Sequence, residues 1–226
     1  MTGADGKKNE LSIKRHLLTE KWTFVPIIGI MLFVILYIVA AVYYPGGSNR
    51  NSTAEGFDWI NNYWCDLLAE PAKNGAHNPG RIFALTGMII LFSAIAVFWY
   101  YLPPFFHERK RNILLIRYTG TLSMFILIFI FTRFHDSVIG IGSTISAVPM
   151  AATLRELRKN HLKTLYFLGW FCILLILINF LIYLTGWFIV FLPVLQKITL
   201  VSFLSWILII DLKCLVISWN NRGFRE

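Results

Sequence analysis

The chain has 226 residues, of which 57% are hydrophobic and only 15% charged. A soluble domain carries about 25% charged residues. This composition, with a mean hydropathy of +0.62, therefore excludes a soluble globular protein and makes the bilayer part of the solvent. The formal charge of +9 suggests a nucleic-acid partner, but where that charge falls argues against one.

Residues 1–22 form a polar, basic segment, too long to open a cleavable signal peptide. The apolar run 24–44 follows and reads as a retained first span, with Pro26 in its first turn, where a missing N–H costs little. A long loop, 45–81, separates it from span 2 at 82–102. Span 3 covers 113–134. Span 4, "SVIGIGSTISAVPMAATL", is short and weakly apolar. Its Gly, Ser, Thr and Ala residues suit a helix packed closely against others in lipid. Span 5 covers 164–184 and span 6 covers 198–217. The stretch 186–195, "GWFIVFLPVL", is either an interfacial or re-entrant piece or an extension of span 6. The expected fold is an all-α bundle of six transmembrane helices (residues 23–217) with a short tail, 218–226.

Six spans place four segments on one side: the N-terminus and the stretches 103–112, 154–163 and 218–226. These carry Lys7, Lys8, Lys14, Arg15, Lys21, Arg109, Lys110, Arg111, Arg155, Arg158, Lys159, Lys163, Arg222 and Arg225. The positive-inside rule then puts both termini in the cytoplasm. Anionic headgroups account for the positive charge. No groove-reading motif or basic–aromatic stripe is left to support nucleic-acid binding. The expected partners are membrane lipids, with a protein partner or a homo-oligomer also open, and the sequence names no cofactor.

The long loop is thus expected outside. "PGGSNRNST" is turn-rich. From Phe57, apolar residues recur at helical spacing (Phe57, Ile60, Trp64, Leu67, Leu68). This predicts an amphipathic helix over 57–69, with Asp58 near its N-terminus and Trp59, Tyr63 and Trp64 at headgroup level.

Span 3 ends in "TRFHD", so Arg133, His135 and Asp136 are expected at the outer mouth, within reach of Asp66 and His77 from the loop. One reading is a structural network: Asp136 or Ser137 caps span 4, and Arg133 pairs with Asp136 or Asp66. Another is a ligand site made of Trp59, Tyr63, Trp64, Asp66, His77, Arg133, His135 and Asp136. In its sharpest form Asp66, His135 and Asp136 are catalytic, and His77, His135 and Asp136 hold a metal. Cys65, beside Asp66, is a nucleophile candidate with no evident base.

Asp211 interrupts the apolar run "ILIIDLKCLVI" roughly 9 Å inside the membrane at 1.5 Å per residue. An intramembrane carboxylate is a functional candidate by default. It could instead pair with Arg117 of span 3. Asn179 is expected to make an interhelical hydrogen bond.

"YYPGGS", "NNYWCDLL", "NPGRIFAL" and "HDSVIGIGS" together resemble a family of uncharacterised bacterial membrane proteins, domain of unknown function 998. The resemblance implies a six-span bacterial inner-membrane protein and no particular activity. The late HxxxH motif of membrane hydrolases of the alkaline-ceramidase type is missing from this chain.

These features leave three functions open. The first is a non-catalytic protein that binds or organises lipid or a partner at the outer leaflet. The second is an outer-face metal-assisted hydrolase or lipid-modifying enzyme. The third is a small permease using Asp211.

Overall fold

The computed structural model describes the backbone of residues 3–106 and 110–223, and the side chains of 22–103, 105 and 112–216. The basic residues expected in 1–21, 107–111 and 217–226 therefore lie outside the described side chains. Six α-helices account for most of the chain: α1 (Gly3–Val42), α2 (Arg81–Tyr101), α3 (Lys110–Leu127), α4 (His135–Lys159), α5 (Lys163–Thr185) and α6 (Leu192–Gly223). Six stretches built on these helices are long and apolar enough to cross a membrane, the shortest being Asn112–Phe131, which runs from α3 through a 3-10 turn at Ile128–Phe131. No strand occurs among the described residues. The chain is thus an all-helical bundle with the architecture of a multi-pass membrane protein.

The weakly apolar fourth span is a full helix, longer than the sequence run that suggested it. The stretch 186–195 is not re-entrant. Gly186, at φ +70°, ends α5 in the left-handed conformation, and a 3-10 turn at Ile189–Phe191 leads directly into α6. Glycine adopts that backbone angle without steric cost.

The helices alternate in direction, which gives the bundle two ends. The loop face carries the connection between α1 and α2, the start of α4 and the start of α6. The opposite face carries the ends of α2, α4 and α6. Packing is tightest around α2, which lies against both α1 and α3. A Cβ at Gly29 would collide with Ala94, and one at Gly120 with the Trp99 ring. Small residues thus set the spacing of both interfaces, as expected where no hydrophobic force drives helices together in lipid. Tyr37, Phe98, Trp99, Ile116, Leu157 and Trp206 are fully buried in this core.

The α4 and α5 helices behave differently along their length. In α5, Leu165, Gly169, Cys172 and Leu175 are buried and nothing beyond them is. In α4, Gly142 is the one buried residue before Pro149, while Met150, Thr153, Leu154, Glu156 and Leu157 follow it into the core. Pro149 lacks the N–H that would bond the carbonyl of the preceding turn, and the change in burial falls at that residue. The basic ends of α4 and α5 are buried on several sides, whereas most side chains of their loop-face halves are exposed.

Candidate functional site

The loop between α1 and α2 folds into a compact cap, but not into the helix expected over 57–69. Only Trp64–Leu68 is helical, as a single 3-10 turn. Asp58 supplies the reason. Its Oδ1 accepts the backbone N–H groups of Ile60 and Asn61 at 2.9 and 3.1 Å, and its Oδ2 accepts Asn61 Nδ2 at 2.6 Å. These local bonds compete with helical ones and hold a turn. They also pull the Asp58 carboxyl below its usual range, the Asn61 side chain contributing most. Trp59 and Ile60 point outward, and Trp64 turns inward.

Asn62 and Asp66 form the centre of the cap, and both are buried. Asn62 Nδ2 donates to the Gly47 carbonyl and to Asp66 Oδ2, both at 2.8 Å, and Asn62 Oδ1 accepts the Asp58 N–H at 2.9 Å. Asp66 Oδ2 also accepts the Tyr63 N–H at 2.9 Å. The Lys73 ammonium lies 3.5 Å from Asp66 Oδ1. Gly47 sits at φ +82°, where a Cβ would meet the backbone of Asn74. Only glycine can therefore bring that carbonyl to Asn62.

A second polar centre closes the loop onto α2. Buried Asn78 donates through Nδ2 to the Leu67 and Ala69 carbonyls at 3.1 and 3.0 Å. Arg81 Nε donates to the Leu68 carbonyl at 3.0 Å. His77, largely exposed, meets Glu70 at 3.2 Å.

Aromatic rings fasten the cap to the helices. The Trp64 ring lies edge-on to Tyr37 of α1 at 5.2 Å, and Phe57 edge-on to Tyr44 at 5.7 Å. Lys197 of α6 reaches up between the Phe57 and Trp64 rings, 5.8 and 5.9 Å from their centroids, and donates to the Asn62 carbonyl. Gln196 accepts the Trp64 N–H at 3.3 Å. Trp64 thus belongs to the cap–bundle joint and not to a headgroup belt.

At the start of α4, neither Asp136 nor Ser137 caps the helix: the cap position is Phe134, which makes no side-chain cap bond. Asp136 instead accepts from Tyr183 Oη of α5 at 3.2 Å and contacts His135 Nδ1 at 3.1 Å. Arg133 pairs with neither Asp136 nor Asp66. Its guanidinium lies 5.0 Å over the Phe134 ring.

The expected site residues therefore form two separate groups. Asp66 belongs to Asn62 and Lys73, while His135 and Asp136 belong to each other and to Tyr183. His77 joins neither group. Among the described residues, no three His, Cys, Asp or Glu side chains gather closely enough to hold a metal ion. Cavities of about 230 and 200 Å³ occur at Leu181–Phe188 and beside Glu156, and none of the four residues lines either. Cys65 lies within electrostatic reach of both groups. Burial pushes its thiol up to about 12, Asp66 adds to this and Asp136 adds further, with Gln196 opposing. A thiol held so high is a poor nucleophile.

Near the opposite face, Asp211 is fully buried and its partner is Tyr101, not Arg117. Successive residues of α2 point to different faces. Tyr101 is buried against Asp211, and Tyr100 is exposed. Arg117 follows Tyr100 outward, donating to its carbonyl at 2.8 Å and lying 4.4 Å over its ring. The second oxygen of Asp211 has no hydrogen-bond partner among the described residues.

The expected bond at Asn179 is present, with Nδ2 donating to Thr199 Oγ1 at 2.6 Å. The role of Asn62 was not anticipated from the sequence. The signal available was its place four residues before Asp66 in "NNYWCDLL".

The chain matches no protein-family model, no curated protein and no solved structure.

Proposed function

We propose that this chain is a non-catalytic integral membrane protein that binds or organises lipid at the outer leaflet. The bonding of Asp66 carries the reading. Both of its oxygens are occupied by groups that fold the cap, so this carboxylate is spent on structure. The cap covers the bundle mouth instead of opening it. In this proposal the membrane is the bacterial inner membrane, both termini are cytoplasmic and the loop face is outside. The positive-inside distribution supports that orientation. Membership of the domain of unknown function 998 family is part of the same proposal and rests on the quoted motifs.

The hydrolase alternative keeps one observation in its favour, the His135–Asp136 pair. The permease alternative keeps Asp211. The Asp211–Tyr101 contact is closed and neither cavity is lined by it, which ranks that reading lower.

The test is extraction of the intact protein from native membranes into polymer-bounded discs, followed by native mass spectrometry. Retained phospholipid that survives detergent exchange is the expected result. Turnover of an added lipid that disappears in His135→Ala would replace this reading with the hydrolase.

A further inference from the structure

The loop-face halves of α4 and α5 leave two stripes of side chains exposed, and together these outline a cleft. On α5, one helical stripe runs Leu165, Gly169, Cys172, Ile176, Phe180 and Tyr183. Its first three members are buried, whereas Ile176, Phe180 and Tyr183 are 39, 58 and 56% exposed. On α4, the stripe that starts at Asp136 continues through Gly140, Ser143 and Ala147, all exposed. Asp136 and Tyr183 are bonded to each other at 3.2 Å, so these two stripes face one another. At the other end the gap closes where Gly169 abuts Leu154 and Trp206.

The cleft is therefore shut at both ends and open along its side. From Cys172 to Tyr183 it runs roughly 16 Å at 1.5 Å per residue, about half of a hydrocarbon core of about 30 Å. That is the depth of one leaflet. A transmembrane helix, about 10 Å across, cannot pass under the Asp136–Tyr183 bridge, but a single hydrocarbon chain can lie below it. Polar groups stand at the loop-face end. Arg133, two residues before α4, is exposed and makes no ion pair with any carboxylate among the described residues. It is flanked by exposed Phe131 and Phe134.

We propose that the α4–α5 cleft holds one acyl chain of an anionic phospholipid whose phosphate pairs with Arg133. The site rests on the lipid-binding reading above and gives it a location and a headgroup charge. Arginine suits this role because its planar fork donates two parallel hydrogen bonds to phosphate oxygens. The chain fills space that Ile176 and Phe180 on one wall and Gly140, Ser143 and Ala147 on the other would otherwise leave without contact partners.

The test uses the full chain in phosphatidylcholine vesicles doped with phosphatidylglycerol that carries a diazirine in one acyl chain. After irradiation, labelled residues are located by peptide mass spectrometry. Adducts concentrated at Ser143, Ala147, Ile176 and Phe180 are expected, reduced about tenfold in Arg133→Gln. Ala147→Trp, which fills the cleft and leaves Arg133 in place, should remove them as well. Adducts spread evenly over the exposed face of α5, Leu174 and Leu181 included, would reduce the cleft to ordinary boundary lipid and overturn the proposal. So would disulfide-linked dimers formed by Ser143→Cys, which would place a second copy there. Lipid retained in native discs without cleft labelling sinks this inference alone, and no retained lipid at all sinks the broader reading too.

Discussion

Asn62 and Asp66 are joined inside the cap by a 2.8 Å hydrogen bond in which the amide Nδ2 donates and the carboxylate Oδ2 accepts. The same amide spans Gly47 on one side and the Asp58 N–H on the other. One buried side chain thus ties three parts of the loop together. Asn62→Ala should cost about 3 kcal/mol, because it strands a carbonyl, an N–H and part of a carboxylate in a dry setting. Lys73→Ala should cost at most about 1 kcal/mol, since that ion pair is partly open to water. Thermal unfolding in detergent, with the two variants side by side, measures the difference. Equal losses would mean that the cap is held by charge and not by Asn62.

Cys65 reports on the same cap. With its thiol pushed up to about 12, roughly one molecule in 10⁴ carries the thiolate at pH 8. A hydrophilic maleimide should therefore react with Cys65 at least a hundredfold more slowly than with a cysteine placed at exposed Thr53, and Asn62→Ala should close most of that gap. The linkage has a definite sign. The folded thiol binds its proton more tightly than the unfolded one, whose value lies near 8.5. Its contribution is therefore fully present below about pH 8.5 and is lost progressively as pH rises toward 12. Cys65→Ser should flatten the alkaline limb of the stability curve. An unchanged limb would assign that loss to other groups.

The six spans could be read from the sequence because the bilayer imposes a single length on every crossing helix. Even the weakly apolar fourth span was marked by its Gly, Ser and Thr residues. The cap was harder to read. Phe57, Ile60 and Trp64 keep helical spacing, yet Asp58 bonds to its own neighbours and overrides the pattern. Periodicity does not register a side chain that competes for backbone groups. The partner of Asp211 was missed for a different reason. Arg117 and Asp211 lie at similar depth, but depth does not say which helix face a residue occupies. Tyr100 and Tyr101, adjacent in sequence, settled that by pointing opposite ways. The loss of burial along α5 after Leu175 left no sequence signal on α5 itself, since apolar residues serve a core and a lipid surface equally well.

Gly120 and Gly140 make a matched pair for the packing argument. A Cβ at Gly120 would overlap the buried Trp99 ring, whereas one at Gly140 meets nothing within 4 Å. Gly120→Ala should destabilise the α2–α3 interface by about 1–3 kcal/mol through overpacking. Gly140→Ala should be neutral or stabilising by up to about 1 kcal/mol, the helix-propensity gain. Equilibrium unfolding in mixed micelles separates the two. A loss at Gly140 matching that at Gly120 would contradict an open α4–α5 cleft.

Tyr101 and Asp211 test whether a buried polar contact is there for stability. Tyr101→Phe removes the hydrogen-bond partner that Asp211 has among the described residues and leaves both carboxyl oxygens unsatisfied in the core. That should cost about 1–3 kcal/mol. Asp211→Leu removes the polar group itself and leaves the Tyr101 hydroxyl alone, which should cost less. The double variant leaves no unpaired group at all. Because replacing a buried polar pair by apolar side chains is often neutral or stabilising, Tyr101→Phe with Asp211→Leu should recover most of the loss caused by Tyr101→Phe. A double-mutant cycle read by unfolding in micelles gives the coupling directly. Recovery of stability together with loss of a cellular phenotype would show that Asp211 is kept for function. Additive losses instead would mean that the two side chains stabilise the helix contact independently, and that their bond contributes little.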